Sequence, residues 1–239
     1  TIYNINAYPN YKKLPTTNLV KSTDTNAMDW VYWVSKLRKT AINKYKDRVS
    51  TSNPTTSNHE TSSDNPDIAY YVKILIGNQE FTVQLDTGSS SLWVPNKDCT
   101  SSACKKHAGF DSSSSPTFKP EGNPWSIQYG IGSASGITGI DSVKIGNFIA
   151  DNQIFGLANQ ETDDFKQDVF DGILGLAFDN VNVLDDGAPT LISTLINQNE
   201  IDPIFSFHFQ HSSKSDDQGT FTLGGVDKSK FIGEITFNP

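Results

Sequence analysis

The stretch FTVQLDTGSSSLWVP, Phe81–Pro95, decides how this chain is interpreted. Its first half alternates apolar and polar residues, which is typical of a strand with one buried face. The residues expected on that buried face are Phe81, Val83 and Leu85. A carboxylate, Asp86, follows at the end of the run. We therefore predict an aspartate presented at the mouth of a packed sheet.

The residues around Asp86 are those that a reactive carboxylate needs. Thr87 and Ser89 can donate hydroxyl hydrogen bonds to the carboxylate or to the loop beneath it. Gly88 has no side chain and lets the backbone approach closely. An aspartate at a strand end is more often a simple turn former. However, two carboxylates at hydrogen-bond distance can share a proton, so that one activates water and the other donates to a carbonyl oxygen, without a metal.

The composition limits the class of protein. The chain has 239 residues, enough for one large or two ordinary domains. Its net charge of -8 argues against a nucleic-acid-binding protein, which needs a basic face. No apolar run approaches the roughly 18 residues of a membrane span.

The two cysteines, Cys99 and Cys104, lie close together. A small loop closed by a disulfide is the favoured interpretation, and it implies an oxidising compartment. Two free thiols are a second possibility. A zinc site that includes His107 is a third, although structural zinc normally takes four ligands.

The chain divides into a basic leader, residues 1–66, and an acidic body, residues 67–239. The leader carries nine Lys or Arg against five Asp or Glu, a net charge of +4, which leaves -12 for the body. An apolar stripe at helical spacing predicts a helix over about 28–46, which either packs on the body or lies on a membrane surface. Residues 50–67 are rich in Ser, Thr, Asn and Pro and predict a flexible linker open to proteolysis.

The body is rich in strand patterns. Two apolar runs flank Gly77–Asn78 and predict a hairpin. Further strand patterns occupy residues 125–146, 151–158, 203–210 and 219–225. One segment, APTLISTLINQNEI at 188–201, favours a helix, with Pro189 near its start. The body is therefore predicted to be mainly β.

The block D-T-G-S-S-x-L-W-V-P at residues 86–95 resembles the active-site signature of the pepsin-like aspartic proteases of the A1 type. Four further blocks are similar to that family and occur in its order: CTSSAC at 99–104, WSIQYGIGSASG at 125–136, VFDGILGLAF at 169–178 and the stretch 219–239. Together the matching residues span 69–239. The resemblance implies a mainly β, pepsin-like acid protease lobe, a six-stranded type of β barrel or sandwich, preceded by a partly helical propeptide.

Within this resemblance, Asp86 is the catalytic aspartate of the first lobe, and the catalytic loop is completed by Thr87, Gly88 and Ser89. Tyr129 and Gly130 belong to a flap hairpin that closes over substrate, and Trp93 is the expected hydrogen-bond partner of Tyr129. The residues expected to line an apolar substrate pocket are Phe165, Phe170 and Ile173; the alternative for them is plain core packing. The resemblance also implies a Cys99–Cys104 disulfide.

Two positions depart from the family pattern. Ile131 occupies a flap position where many relatives carry a small hydroxyl residue, so a side-chain hydrogen bond to substrate is lost there. Gln84 stands where an apolar pocket residue is common. Both departures predict a changed subsite preference.

The leader is similar to a protease propeptide. Lys44 and Tyr45 match the Lys-Tyr pair that ends the inhibitory segment in many members, and an ammonium between two carboxylates fills the cleft and holds both ionised. We expect residues 1–66 to be the propeptide and 67–239 to be the N-terminal lobe. Acid should weaken the contact between leader and body, and cutting within 46–67 should follow.

The implied function is that of an aspartic endopeptidase zymogen that hydrolyses peptide bonds between apolar residues at acid pH, with no cofactor and no metal. Its expected partners are polypeptide substrates, its own propeptide in the cleft, and a C-terminal lobe with the second aspartate, because no second Asp-Thr/Ser-Gly block is found. That lobe is expected on a separate chain or in a segment removed by truncation. No nucleic acid and no membrane span are expected, and the location is secreted or vacuolar/lysosomal. The alternatives are a catalytically silent peptide-binding or regulatory protein and a single-lobe homodimeric protease.

Overall fold

The computed structural model describes residues 2–4, 55–57, 70–185, 188–209 and 219–236. The predicted helix over 28–46, with Lys44 and Tyr45, lies outside the described residues. So does most of the predicted linker over 50–67. Within that linker, however, Thr55–Ser57 form a short strand that the sequence did not predict.

The chain forms eleven described strands and is mainly β, as predicted. Their bounds are β1 Ile2–Asn4, β2 Thr55–Ser57, β3 Tyr71–Ile76, β4 Gln79–Asp86, β5 Leu92–Pro95, β6 Lys119–Gln128, β7 Ser133–Ile145, β8 Phe148–Glu161, β9 Gly172–Gly175, β10 Ile204–His208 and β11 Thr220–Leu223. Seven of them form one sheet in the order β3-β4-β9-β5-β8-β7-β6.

Six strands of this sheet close into a ring. β3 pairs with β4 on one side and with the end of β7 on the other, through Ile74↔Ile145 and Ile76↔Val143. β6 remains outside the ring as the hairpin partner of the first part of β7. The expectation of a six-stranded type of β barrel or sandwich is therefore confirmed, and the structure shows the barrel form.

The first hairpin forms where the sequence predicts it. β3 and β4 are antiparallel and are joined by Gly77 and Asn78, both with positive φ (51° and 67°). An Asn and a Gly tolerate this left-handed conformation better than other residues. A Cβ on Gly77 would also lie only 2.4 Å from Asp141 Oδ2, so this turn needs glycine for space as well as for conformation.

The inner face of the ring carries the main core. Phe81 and Val83 of β4 are buried there, and Leu85 is partly buried against them. The core extends from the ring to the α-helix and to the second sheet. Its largest fully buried members include Ile74, Ile76, Phe110, Ile145, Phe155, Leu174, Leu191, Phe205 and Phe221. Burial of side chains of this size contributes about 1.5–3 kcal/mol each to stability.

The single α-helix of the described residues, α1, spans Leu191–Asn197. Thr190 caps it by accepting a hydrogen bond from the backbone N–H of Ser193. The helix ends earlier than the predicted 188–201 because Asn199 adopts a positive φ of 61°. Among the described residues, no helix is long and apolar enough to cross a membrane.

A second sheet has the strand order β1-β10-β11-β2. β10 and β11 form an antiparallel pair from the body, and the leader strands β1 and β2 lie at the two edges. The described parts of the leader are thus joined to the body by backbone hydrogen bonds. Five short 3₁₀ segments complete the described elements: Cys104–Lys106, Ser112–Ser114, Asp163–Gln167, Asp179–Val181 and Lys228–Lys230.

Candidate active site

Asp86 is the last residue of β4 and is half-buried. Its Oδ1 accepts a hydrogen bond from the backbone N–H of Gly88 at 2.8 Å, and its Oδ2 accepts one from Ser89 Oγ at 2.5 Å. Hydrogen bonds of this kind, made to an ionised acceptor, are the stronger ones in proteins. Thr87 is exposed, and no bond from its hydroxyl to Asp86 occurs among the described residues. The donors that orient the carboxylate are therefore Gly88 and Ser89.

The Asp86 loop is supported from below by β9. This strand runs parallel to β4 in the register Asp86↔Gly175 and antiparallel to β5. The backbone N–H of Leu176 donates to the Asp86 carbonyl at 2.7 Å, and that of Ala177 donates to the Ser89 carbonyl at 2.9 Å. A Cβ on Gly175 would lie 2.4 Å from the Ser90 carbonyl carbon, so only glycine permits this approach.

The next two serines fasten the same loop to the chain beyond β9. Ser90 Oγ donates to the Phe178 carbonyl at 2.6 Å. Ser91 Oγ donates to Asn182 Oδ1 at 2.9 Å. Both serines are fully buried, and sequence reasoning did not assign them a role. The available signal was a run of three serines directly before buried apolar residues, where a hydroxyl without a partner is costly.

The hairpin of β6 and β7 covers the site. Its tip is closed by a hydrogen bond from the Tyr129 N–H to the Gly132 carbonyl at 3.0 Å. Gly130 has open space around it, and Ile131 is 77% exposed at the tip. The hairpin predicted from the sequence is present, and its tip projects into solvent.

Tyr129 points its hydroxyl back towards the aspartate loop. Trp93 Nε1 donates to Tyr129 Oη at 2.8 Å. Burial raises the pKa of Tyr129 to about 12; its hydrogen bonds with Trp93 and with Ser89 oppose this shift, and the charge of Asp86 adds to it. Tyr129, Ser89 and Asp86 thus belong to one hydrogen-bonded group in which Tyr129 stays protonated.

A second apolar cluster lies beneath the hairpin and contains Trp93, Phe165, Phe170 and Ile173. Phe165 makes edge-to-face contacts with Trp93 and with Tyr129, with ring centroids 5.6 Å and 6.0 Å apart. Phe165, Phe170 and Ile173 are only 7%, 8% and 3% exposed. These three residues are packed in the core, which fits the alternative interpretation. Their contact with substrate stays a prediction.

Cys99 and Cys104 form a disulfide. Among the interpretations left open by the sequence, the zinc site and the free thiols were wrong. His107 instead lies against the segment that carries Phe165, with Nε2 2.9 Å from the Phe165 carbonyl and Nδ1 4.0 Å from Asp171 Oδ1.

Gln84 lies two residues before Asp86 on the same strand, so both side chains project from the same face of β4. It is half-exposed. No carboxylate is hydrogen-bonded to Asp86 within residues 70–185, 188–209 and 219–236. The described site thus contains one oriented carboxylate, one hairpin tyrosine and an apolar floor.

Comparison with known proteins gives consistent matches. The sequence profile of the family described as eukaryotic aspartyl protease matches residues 69–239. Vacuolar protease A of Arthroderma otae is 43% identical over 174 residues, which cover 71% of this chain and 44% of the relative. Pepsin B of Canis lupus familiaris is 38% identical over 177 residues, covering 72% and 45%. Cathepsin E of Aquarana catesbeiana is 41% identical over 177 residues, covering 72% and 44%. The chain thus spans less than half the length of these relatives.

Proposed function

The chain belongs to the eukaryotic aspartyl protease family, and on this basis we propose that it supplies half of the catalytic site of an aspartic endopeptidase. The observation that carries the proposal is the geometry at Asp86. Its two oxygens accept hydrogen bonds from Gly88 and Ser89. Such a carboxylate is fixed in direction and ready to accept a proton from water.

The reaction needs a second carboxyl group opposite Asp86. The ionised member of the pair takes a proton from water, which attacks the peptide carbonyl carbon, while the protonated member donates to the carbonyl oxygen. The second aspartate is proposed to come from a C-terminal lobe, on a separate polypeptide or in the rest of a longer chain. This chain covers less than half the length of each relative, which supports a second lobe as the source of the second aspartate. A homodimer of this lobe is the competing arrangement.

The β6–β7 hairpin is proposed to act as the flap. Tyr129 is held over the aspartate loop by Trp93 and by Phe165. A closed hairpin excludes water from the peptide bond and holds the substrate backbone in line. The apolar floor favours substrates with apolar side chains. The half-exposed amide of Gln84 adds a polar group on the face of β4 that carries Asp86.

We propose that the leader inhibits the enzyme until acid activation. Lys44 is the group proposed to enter the cleft, with Tyr45 beside it. Protonation of the active-site carboxylates at low pH removes their attraction for an ammonium group, so the leader is released as pH falls. Incubation in acid followed by N-terminal sequencing tests this: new termini within 46–67 support it, and an intact leader in a sample that cuts other proteins contradicts it.

The disulfide and the vacuolar protease among the relatives support a secreted or vacuolar/lysosomal location. Fractionation of the native cells with an antibody to this chain tests the proposal. Recovery of the oxidised protein in the cytosol would contradict it.

The decisive experiment is acid digestion of a denatured globular protein by the unmodified protein, by Asp86→Asn and by the control Asp151→Asn, which changes an exposed aspartate on β8. The protein is assayed together with any second polypeptide that copurifies with it. Asp86→Asn should reduce cleavage by at least about a thousandfold, since it removes one of two interdependent carboxyl groups. The control should keep its activity. Equal cleavage by Asp86→Asn would rule out the assignment, and no cleavage by the complete assembly would favour a catalytically silent peptide-binding role.

A further inference from the structure

A carboxyl group outside the proposed catalytic pair lies buried near the hairpin. Glu161 is the last residue of β8 and is only 7% exposed. Its backbone N–H donates to Ser101 Oγ at 3.3 Å. Neither of its carboxyl oxygens has a hydrogen-bond partner in the part of the chain that the structure describes. A buried carboxylate without partners is costly, whereas the uncharged acid is tolerated far better.

The charges around Glu161 do not compensate for its burial. Asp171 acts on it as a like charge. The other titratable or charged groups on the adjoining segments are Asp163, Asp164, Lys166 and Asp168, which follow β8, and Lys105, Lys106 and His107, which follow the disulfide loop. His107 is directed to the Phe165 carbonyl and towards Asp171, and Asp171 already accepts from the N–H groups of Thr82 and Ala108.

The residues that follow Glu161 contact the hairpin and support it. The Thr162 N–H donates to the Ser133 carbonyl at the start of β7, and the Ser133 N–H donates to Thr162 Oγ1. Three residues further on, Phe165 packs edge-on against the rings of Trp93 and Tyr129. Displacement of this short segment would therefore be transmitted to Tyr129 through Phe165.

We propose that Glu161 is a positioning residue for the hairpin tyrosine: uncharged, it allows the segment Thr162–Asp168 to hold Phe165 against Tyr129, and ionised, it loosens that segment. The role in catalysis rests on the proposed function, since Tyr129 matters for cleavage only if the hairpin is a flap. The effect on local order does not. The geometry assigns this carboxyl a regulatory effect that is separate from Asp86.

The direction of the pH effect follows from the chemistry. Burial, with the charge of Asp171 adding to it, raises the pKa of Glu161 from its ordinary 4.5 to about 7. Between pH 4.5 and about pH 7, the Glu161 carboxyl is therefore protonated in the folded state and ionised in the unfolded state. The stabilising contribution is fully present below about pH 4.5 and is lost as pH rises through about 7. The hairpin support should be ordered in acid and loosened above neutrality.

Hydrogen exchange measured by mass spectrometry on the purified protein tests this, at a series of pH values from about 4.5 to about 8 with correction for the chemical exchange rate. Peptides covering 125–133 and 159–168 should lose protection by about tenfold or more across the upper half of this range, since one pKa unit is a factor of ten. In Glu161→Gln, which keeps the shape and cannot ionise, that loss should disappear. The control Glu200→Gln, at an exposed glutamate after α1, should behave like the unmodified protein.

Two results would overturn the proposal: protection of these peptides that does not change with pH in the unmodified protein, or an unchanged transition in Glu161→Gln. If Glu161→Gln does not fold, the infrared carbonyl band of a protonated carboxylic acid in the unmodified protein provides the test. Such a band must persist above about pH 6, and its loss with rising pH must coincide with the loss of protection. Exchange reports order and not cleavage, so a protein that shows the transition without proteolysis contradicts only the proposed function.

Discussion

Trp93 and Tyr129, 36 positions apart, are joined by a hydrogen bond of 2.8 Å from the indole nitrogen to the phenol oxygen. This contact links β5, which follows the aspartate loop, to the tip of the covering hairpin. Both side chains also contact the Phe165 ring. The Trp93–Tyr129 bond and this aromatic cluster thus help to hold the hairpin over the aspartate loop.

A double-mutant cycle should measure the polar contact. Trp93→Phe replaces the indole by a phenyl ring and removes the N–H donor. Tyr129→Phe keeps the ring and removes the hydroxyl that accepts this bond. The coupling free energy of unfolding should be about 0.5–1.5 kcal/mol, the usual net contribution of one hydrogen bond. Urea denaturation of both single variants and the double variant provides the measurement. Strictly additive effects would show that the bond does not contribute to stability.

Ser89→Ala should weaken catalysis. The change removes the 2.5 Å bond to Asp86 Oδ2 and a bond to Tyr129. Loss of a hydrogen bond to a charged group costs about 1.5–3 kcal/mol, which corresponds to between about tenfold and a hundredfold in kcat/KM. Peptide cleavage at acid pH measures it. Ser112→Ala removes an exposed hydroxyl far from this loop and serves as the control; equal kcat/KM in the two variants would contradict the role of Ser89.

Gly175→Ala should disrupt the support of the aspartate loop. The new Cβ would lie 2.4 Å from two backbone atoms, the Ser90 carbonyl carbon and the Ser91 nitrogen, which cannot move without breaking the loop. We expect a loss of at least about 3 kcal/mol in the free energy of unfolding, or failure to fold. Gly130→Ala meets open space and should leave stability nearly unchanged. Similar denaturation midpoints for the two variants would contradict this interpretation of β9.

Replacement of both Cys99 and Cys104 by alanine should lower stability by about 2 kcal/mol, the value expected for a very short closed loop. The separation of five residues makes the entropic gain from the cross-link small. Urea denaturation under non-reducing conditions provides the comparison, and the unmodified protein after reduction should match the double variant. A change near zero would show that the loop is held by its other contacts, such as the bond from His107.

The local part of the fold was readable from the sequence. Alternation over 79–86 and the Gly77–Asn78 pair predicted the first hairpin, because strand period and turn conformation are short-range properties. The pairing of β9 with β4 and β5 could not be predicted from the sequence. Gly172–Gly175 is four residues long, and its parallel register with β4 joins residues about ninety positions apart.

At the candidate site, sequence patterns identified the proposed catalytic residues better than the residues that support them. Asp86, Ser89 and the hairpin with Tyr129 lie together, as their neighbourhood and the family resemblance indicated. The buried serine bonds to Phe178 and Asn182 depend on chain segments that only the fold brings near. Glu161 could not be found either, because a glutamate at a strand end is ordinarily exposed to solvent.

The long strand β7 belongs to two structures at once. Its last three residues close the ring against β3, and its first residues form the inner arm of the hairpin over Asp86. Between them lies Gly136, where the register with β8 shifts and where any larger residue would strike the Leu157 carbonyl. The hairpin is therefore anchored at one end in the barrel wall. If it acts as the proposed flap, the bending that admits a peptide should occur near Gly136, while the anchored end keeps the ring closed.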